Sequence, residues 1–309
     1  MQLVLVQPRL SADPAADNFA AMRRALDAAS PTLGPEDIVV LPERCDERRD
    51  DAYRAAAEAF ARDLGCNVVA GSRHVRAGEL AVNAGVALGP RGELLGEYEK
   101  LRPYSGELGQ VRPGSKLGEL RIAGCRVLVL ICADFWFSDV FERCQGLPDL
   151  VLVPALSVTR KPTPDYARAL WRHLAISRAY ELGAYVGVSD WACSSETRGL
   201  PVAGAAGFAD PTSLEPARFF TPVSQGGVLV IPLDLEALWA FRRDRAARGF
   251  FWRPIDPALD RVGLCAECQH GREVVSSKGS RFWLCRRSEH DPRFPKYPRL
   301  PKRSCFGYE

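Results

Sequence analysis

The chain has 309 residues, 47% hydrophobic and 26% charged, a globular mixture that excludes a disordered or collagen-like polymer. Its 41 Lys and Arg against 38 Asp and Glu leave a net charge of +3, too balanced for bulk charge to point to nucleic acid or a membrane surface as partner. No apolar run reaches the ~18 residues of a membrane helix, and Met1–Val6 is too short, and meets a proline too soon, for a secretory signal, so a cytoplasmic protein is expected. In chain order, Leu3–Val6 reads as a buried strand and Ala15–Ala29 as an Ala-rich helix. Ile38–Leu41, the helical stretch Asp51–Leu64 and the strand Val68–Ala70 continue the alternation. Ala81–Leu88 and Glu93–Tyr98 then flank Gly89-Pro90-Arg91-Gly92, a hairpin signature. A second strand pair, Leu117–Ile122 and Arg126–Ile131, turns at Ala123-Gly124. Leu150–Val153, the helix Tyr166–Leu182 stopped by Gly183, Tyr185–Val188 and Val228–Ile231 complete the pattern. Helices alternating with short apolar strands, with hairpins inserted, predict an α/β fold of mixed sheets covered by helices.

Composition changes near residue 260. From Val262 to Glu309 there are ten Lys and Arg against five Asp and Glu, a charge of +5, while the remainder carries −2. Four of the ten cysteines also fall in this tail, at 265, 268, 285 and 305. The expected organisation is a main domain over residues 1–240, a linker or arm over 241–261 and a four-cysteine module over 262–309.

Three segments deliver reactive groups where the chain leaves a strand, the place where loops converge on one edge of a layered sheet. Ile38–Leu41 leads through Pro42 to Glu43, the second hairpin strand ends at Tyr98-Glu99-Lys100, and Leu128–Ile131 leads to Cys132-Ala133-Asp134. A carboxylate, an ammonium and a thiol at strand ends suit nucleophilic catalysis, because a thiol near neutral pH needs a base or a positive charge beside it.

Taken in this order, with Asn83 before Lys100, Glu107 and Arg112-Pro113-Gly114 after it, and Trp171 leading into Ser177-Arg178-Ala179-Tyr180-Glu181, these residues resemble the carbon–nitrogen hydrolase (nitrilase) superfamily over roughly residues 1–240. The resemblance implies an α/β fold in the form of a four-layer αββα sandwich, here with a small cysteine-rich C-terminal module, and a homodimer. It implies Cys132 as nucleophile, Glu43 as the base that takes its proton, and Lys100 with the backbone N–H of Ala133 as the groups that hold the oxyanion. Glu107 matches a second glutamate that holds the lysine. The expected activity is hydrolysis of a non-peptide C–N bond in a small amide through a thioester on Cys132, with no cofactor in catalysis. Nitrilase, N-carbamoyl hydrolase and acyltransferase chemistry stand as alternatives, as does a non-catalytic scaffold for the cysteine module. The chain departs from the family after the nucleophile, where Ser138 and Asp139 replace a Pro-Glu pair. Phe135, Trp136 and Phe137 in that segment are candidates for an apolar pocket, Arg160 or Lys161 for contact with an acidic substrate group, and Trp191 for a further substrate contact.

In the tail, Cys265-x2-Cys268 is followed by Cys285 and Cys305. Four thiolates suit a structural zinc ion, and an iron–sulfur cluster takes the same number. A metal staple would compensate for the small core of so short a module. The tail also resembles small stand-alone bacterial proteins of unassigned function with the same cysteine pattern. The expected partner is a small-molecule amide, with neither membrane nor nucleic acid.

Overall fold

The structure is a computed structural model that describes residues 1–46, 50–160, 163–197, 199, 201–251, 262–266, 268–300, 302 and 305–308. It forms two compact units, the first comprising Met1–Ile122 and Arg126–Asp234, the second Ala123–Cys125 and Leu235–Glu309.

In the first unit, β1 (Gln2–Val6), α1 (Asn18–Ala29), β2 (Ile38–Val40), α2 (Asp50–Leu64) and β3 (Asn67–Val69) follow one another as the sequence predicts. The hairpin strands β5 (Leu80–Leu88) and β6 (Leu94–Glu99) are preceded by β4 (Arg73–Ala77), which the sequence analysis does not name. β4 escapes notice because Arg73, His74 and Arg76 interrupt its apolar pattern. These strands build a seven-stranded sheet in the order β13-β1-β2-β3-β5-β4, with β6 paired to β5. Its first member, β13 (Val228–Pro232), returns antiparallel to β1. A six-stranded sheet runs β12-β11-β10-β9-β8-β7, from β7 (Gly118–Ile122), β8 (Cys125–Val129), β9 (Leu150–Pro154), β10 (Tyr185–Ser189), β11 (Gly207–Ala209) and β12 (Phe220–Pro222).

Strand periodicity sets the layers. Val4, Val6, Val39 and Leu41 join Phe19, Met22 and Leu26 of α1 and Tyr53, Ala57 and Phe60 of α2 in one core. Leu3 and Leu5, on the opposite face of β1, press on Gly187 of β10, where an added Cβ would come within 2.9 Å of either side chain. The two sheets are stitched where β10 ends: Ser189 Oγ donates to the Val40 carbonyl at 2.7 Å and accepts from the Val6 N–H at 3.1 Å. The outer face of the second sheet carries α4 (Pro164–Leu182), which buries Ala167, Trp171, Ala175, Ala179 and Leu182. Pro164 fits its first turn and Gly183, at φ 57°, closes it. The result is an α–β–β–α arrangement, with strands buried on both faces and therefore continuously apolar in sequence.

The second unit contains α5 (Leu235–Ala247), which runs across position 240, and a two-stranded hairpin of β14 (Gly271–Val275) and β15 (Arg281–Cys285). Residues 252–261, the latter part of the expected linker, lie outside the described residues. Between β8 and β9 the first unit also holds the four-residue α3 (Asp139–Glu142).

Candidate active site

Glu43 lies three residues beyond β2. Its backbone is fixed on both sides: its N–H donates to the Ala155 carbonyl at 3.2 Å, and its own carbonyl accepts the indole N–H of Trp191 at 2.7 Å. Lys100 follows β6 directly and donates its backbone N–H to the Asn83 carbonyl at 2.8 Å. Cys132 follows β8 by three residues and begins a single 3₁₀ turn, Cys132–Trp136. Its φ of 46° is a left-handed conformation that costs a non-glycine residue of order 1–3 kcal/mol. Such a bend turns the side chain off the strand direction.

The three segments bring their side chains together. Lys100 Nζ donates to Glu43 Oε1 at 2.6 Å and to Glu107 Oε2 at 2.7 Å. Asn83 Nδ2 bridges the same two carboxylates, to Glu43 Oε1 at 2.9 Å and Glu107 Oε1 at 2.7 Å. Each carboxylate also takes a backbone donor: Leu156 N–H donates to Glu43 Oε2 at 3.1 Å and Tyr104 N–H to Glu107 Oε2 at 2.9 Å. His74 Nε2 lies 3.1 Å from Glu107 Oε1. The side chains of Glu43 and Lys100 are each 3% exposed, so this is a buried network rather than a surface ion pair. Cys132 Sγ points at the Leu156 carbonyl, 3.8 Å away, and opens onto the same cavity as Glu43, Lys100 and Glu107.

The electrostatics follow from this burial. Burial works against charge on Lys100, but Glu43, Cys132 and Glu107 outweigh it and hold the ammonium above the usual lysine range. Burial also opposes ionisation of Glu107, yet the His74 contact and Lys100 bring it down to about 2. Cys132 goes the other way: burial first, then the Glu43 carboxylate, push the thiol well above its ordinary range, with Lys100 opposing. At rest Cys132 is therefore a neutral thiol.

Two further carboxylates hold the frame. Asp134 accepts from the N–H groups of Leu101 at 3.0 Å and Arg102 at 2.8 Å, tying the chain after Lys100 to the turn that carries Cys132. Asp190 accepts from Ser157 N at 2.9 Å, Trp191 N at 2.8 Å, Ala205 N at 2.6 Å and the Ser157 hydroxyl. It thereby fixes the strand end that supplies Leu156. Burial raises both carboxyls to about 6.

Of the other residues singled out in the sequence, Ala133 follows Cys132 in the first turn, where backbone N–H groups have no partner within the turn. Trp136, Arg160 and Trp191 all line space around Cys132. Phe135 does not: it is fully buried, stacked on Trp171 at an interplanar angle of 11°, and lines neither cavity beside Cys132. Lys161 lies outside the described residues. Sequence reasoning missed His74, Asp190 and the Leu156 backbone, each distant in sequence from the residues it orients. Asp190 had a visible signal, a carboxylate just beyond the apolar run Tyr185–Val188.

In the second unit, Gly271 pairs with Cys285, and a Cβ on Gly271 would sit 2.1 Å from the Cys265 carbonyl, so the hairpin start is pressed onto the Cys265–Cys268 turn. The segment leading to Cys305 is joined by hydrogen bonds from Leu264 N to the Lys302 carbonyl at 2.8 Å and from Lys302 N to the Val262 carbonyl at 3.0 Å. The Cys265 thiol is pushed up to about 11, by burial first and then by Cys268, Cys305 and Cys285. Among the described residues no group of three or more His, Cys, Asp and Glu stands in a metal-holding arrangement.

A buried thiol, two carboxylates and an ammonium meet at the strand ends of a layered α/β unit. The sequence model of the carbon-nitrogen hydrolase family matches residues 5–212, and the chain belongs to that family. It is a carbon–nitrogen hydrolase. Among solved structures the fold is similar to Nit3 of Saccharomyces cerevisiae, a member of branch 10 of the nitrilase superfamily, with a TM-score of 0.64 and 19% identity over 79% of this chain and 93% of that one. It is similar also to an amidase from Nesterenkonia sp., with a TM-score of 0.62 and 22% identity over 81% and 96%. The NitFhit protein of C. elegans gives 0.62 and 18% over 80% of this chain and 64% of that one. No curated protein sequence is a match. The described residues contain no helix long and apolar enough to cross a membrane.

Proposed function

We propose that the protein hydrolyses a small amide through a thioester on Cys132. As Sγ attacks the carbonyl carbon, Glu43 takes the thiol proton and the carbonyl π pair moves to oxygen. Lys100 Nζ and the Ala133 N–H stabilise that oxygen. The intermediate collapses with cleavage of the C–N bond, and Glu43 returns the proton to the departing nitrogen. Water then gives a proton to Glu43 as it attacks the thioester; sulfur leaves, recovers the proton, and the acid is released. The observation that carries this reading is the single lysine shared at 2.6 and 2.7 Å by two buried carboxylates on the cavity that Cys132 faces. Support also comes from the amidase among the similar structures, one form of which carries an acrylamide adduct on its active-site cysteine.

The test is intact-mass spectrometry of the protein mixed with a panel of small amides. An acyl adduct located on Cys132, with acid released into solution, is expected. Cys132→Ala should show neither while keeping the wild-type circular dichroism spectrum; continued hydrolysis by that variant would falsify the assignment.

For the tail we propose one structural zinc ion held by Cys265, Cys268, Cys285 and Cys305. The backbone pairing of Gly271 with Cys285 and of the Val262–Leu264 segment with Lys302 supports convergence of the four segments. Metal analysis of the purified full chain should give one zinc per chain, lost in the Cys265→Ser/Cys268→Ser double variant; a metal-free wild-type protein refutes the proposal.

A further inference from the structure

Cys132 opens onto two cavities, of which only one contains charged side chains. The larger, about 480 Å³, holds the charged groups Glu43, Lys100 and Glu107, with Ser105, Arg44 and Arg160 also on its wall. The smaller, about 220 Å³, is lined by Ala133, Trp136, Phe137 and Trp171 and contains neither Glu43 nor Lys100. Cys132, Tyr104, Leu156 and Val158 belong to both.

The chemistry of amide cleavage orients a substrate across these two spaces. The departing nitrogen must receive its proton from Glu43, so the amine side of the scissile bond points into the larger cavity. The acyl substituent lies on the other side of the carbonyl carbon, toward Ala133 and the aromatic wall. That wall is set up for an apolar ring. Trp136 stands edge-on to Trp171 at 86° with ring centroids 5.5 Å apart, Trp171 is backed by Phe135, and Arg102 caps the Phe137 ring at 4.3 Å. Trp136 and Phe137 nevertheless remain 38% and 44% exposed, large apolar surface left open next to a nucleophile. An apolar cavity of about 150 Å³ is enough for benzene, so 220 Å³ accepts an aryl or branched aliphatic acyl group.

The amine side meets different groups. Within the larger cavity Lys100 is already shared by two carboxylates, which leaves the trio of Glu43, Lys100 and Glu107 with one net negative charge. The further cations on its wall are Arg44 and Arg160. The Arg160 guanidinium is hydrogen-bonded to the Ser105 hydroxyl and pairs with no carboxylate among the described residues, and it lines the larger cavity but not the aromatic one, so its fork is available to an anion there.

We propose that the substrate is an amide joining an apolar acyl group to an amine that carries a carboxylate, the acyl group seated against Trp136 and Trp171 and the carboxylate at Arg160. This rests on Cys132 as nucleophile and adds the substrate class.

The test uses the full chain and four probes: phenylacetyl-glycine, its neutral congener phenylacetyl-glycinamide, acetyl-glycine, and phenylacetamide. Wild type should hydrolyse phenylacetyl-glycine with the highest kcat/KM of the four. Arg160→Gln should lower the ratio of kcat/KM for phenylacetyl-glycine over phenylacetyl-glycinamide by about tenfold, as loss of one charge-assisted contact implies, with the change carried in KM. Trp136→Ala should lower the ratio of phenylacetyl-glycine over acetyl-glycine by a similar factor. Either ratio left unchanged, or the neutral congener preferred by wild type, overturns the proposal. If phenylacetamide acylates Cys132 while both glycine conjugates do not, the substrate class fails and the nucleophile stands; if no probe and no small amide acylates Cys132, both fail.

Discussion

Asn83 tests the network at its least conspicuous member. It sits fully buried in β5, and its single side-chain NH₂ spans the two carboxylates that Lys100 also joins, at 2.9 and 2.7 Å. Asn83→Leu keeps the volume and removes both bonds. Each is a hydrogen bond to a charged acceptor, worth about 1.5–3 kcal/mol, so the gross loss is about 3–6 kcal/mol. Part is recovered, because the side-chain amide oxygen Oδ1 of Asn83 is buried without a partner and its removal relieves about 1–3 kcal/mol of desolvation. The net expectation is a loss of about 2–4 kcal/mol in unfolding free energy. Activity should suffer as well, since Glu43 then keeps Lys100 and the Leu156 N–H but loses the donor that sets its spacing from Glu107. Misplacing a catalytic base by even a fraction of an ångström costs roughly tenfold or more in turnover. Urea titration gives the stability, and rates on whichever amide acylates Cys132 give the activity. A variant within about 0.5 kcal/mol and twofold of wild type on both measures would show that the lysine alone organises the site.

The pH dependence separates two buried carboxylates of opposite sign. Glu107, held down to about 2, contributes stability that is complete above its unfolded value near 4.3 and is lost as pH falls toward 2, about 3 kcal/mol in all; acid unfolding of Glu107→Gln should therefore show a flatter slope between about pH 4.5 and 2 than wild type, and an identical slope counts against the network. Asp190, raised to about 6, behaves inversely: its contribution is present below the unfolded value near 3.9 and declines as pH rises through 6. Carbon-detected NMR titration should place its midpoint near 6, and a midpoint at the ordinary aspartate value would contradict the burial argument. Trp191→Phe removes the indole donor from the Glu43 carbonyl and should cost about 1–2 kcal/mol in unfolding free energy with a several-fold fall in kcat, read by chemical denaturation and steady-state kinetics; unchanged kcat would mean that the Glu43 backbone is held without it.

The layers were legible in the sequence because parallel strands buried on both faces need continuous apolar runs, and β1, β2, β8, β9 and β10 supply them. β4, carrying Arg73, His74 and Arg76, supplies no such run and went unread. The same contrast holds at the site. Glu43, Lys100 and Cys132 each follow a recognisable strand, so their convergence is a property of topology. Asp190 and the Leu156 N–H act through hydrogen bonds made across more than 30 residues of chain, and the sequence carries no local mark of such pairings. Phe135 shows the converse error: its neighbours in the run Phe135-Trp136-Phe137 face open space, but the 3₁₀ turn points its ring into the core against Trp171. Aromatic composition alone does not tell a pocket wall from packing, because one residue of turn decides which side of the layer a ring occupies.

In the proposed mechanism, the placement of charge lets so protected a thiol serve as the nucleophile. Ionising Cys132 beside an ionised Glu43 would put two anions together out of water, and burial makes that costly. Passing the proton to Glu43 avoids the conflict. The carboxylate that opposes the thiolate is neutralised in the same event that creates it, and Lys100, released from one of its two partners, can turn its charge toward sulfur and the developing oxyanion. Glu107 keeps the ammonium in place during that exchange, held by His74, Asn83 and the Tyr104 N–H on its other contacts. The total charge of the buried group stays constant through the step and only its position changes. Under this mechanism two glutamates divide the work that one could not do, one accepting the proton and the other remaining ionised to hold the lysine.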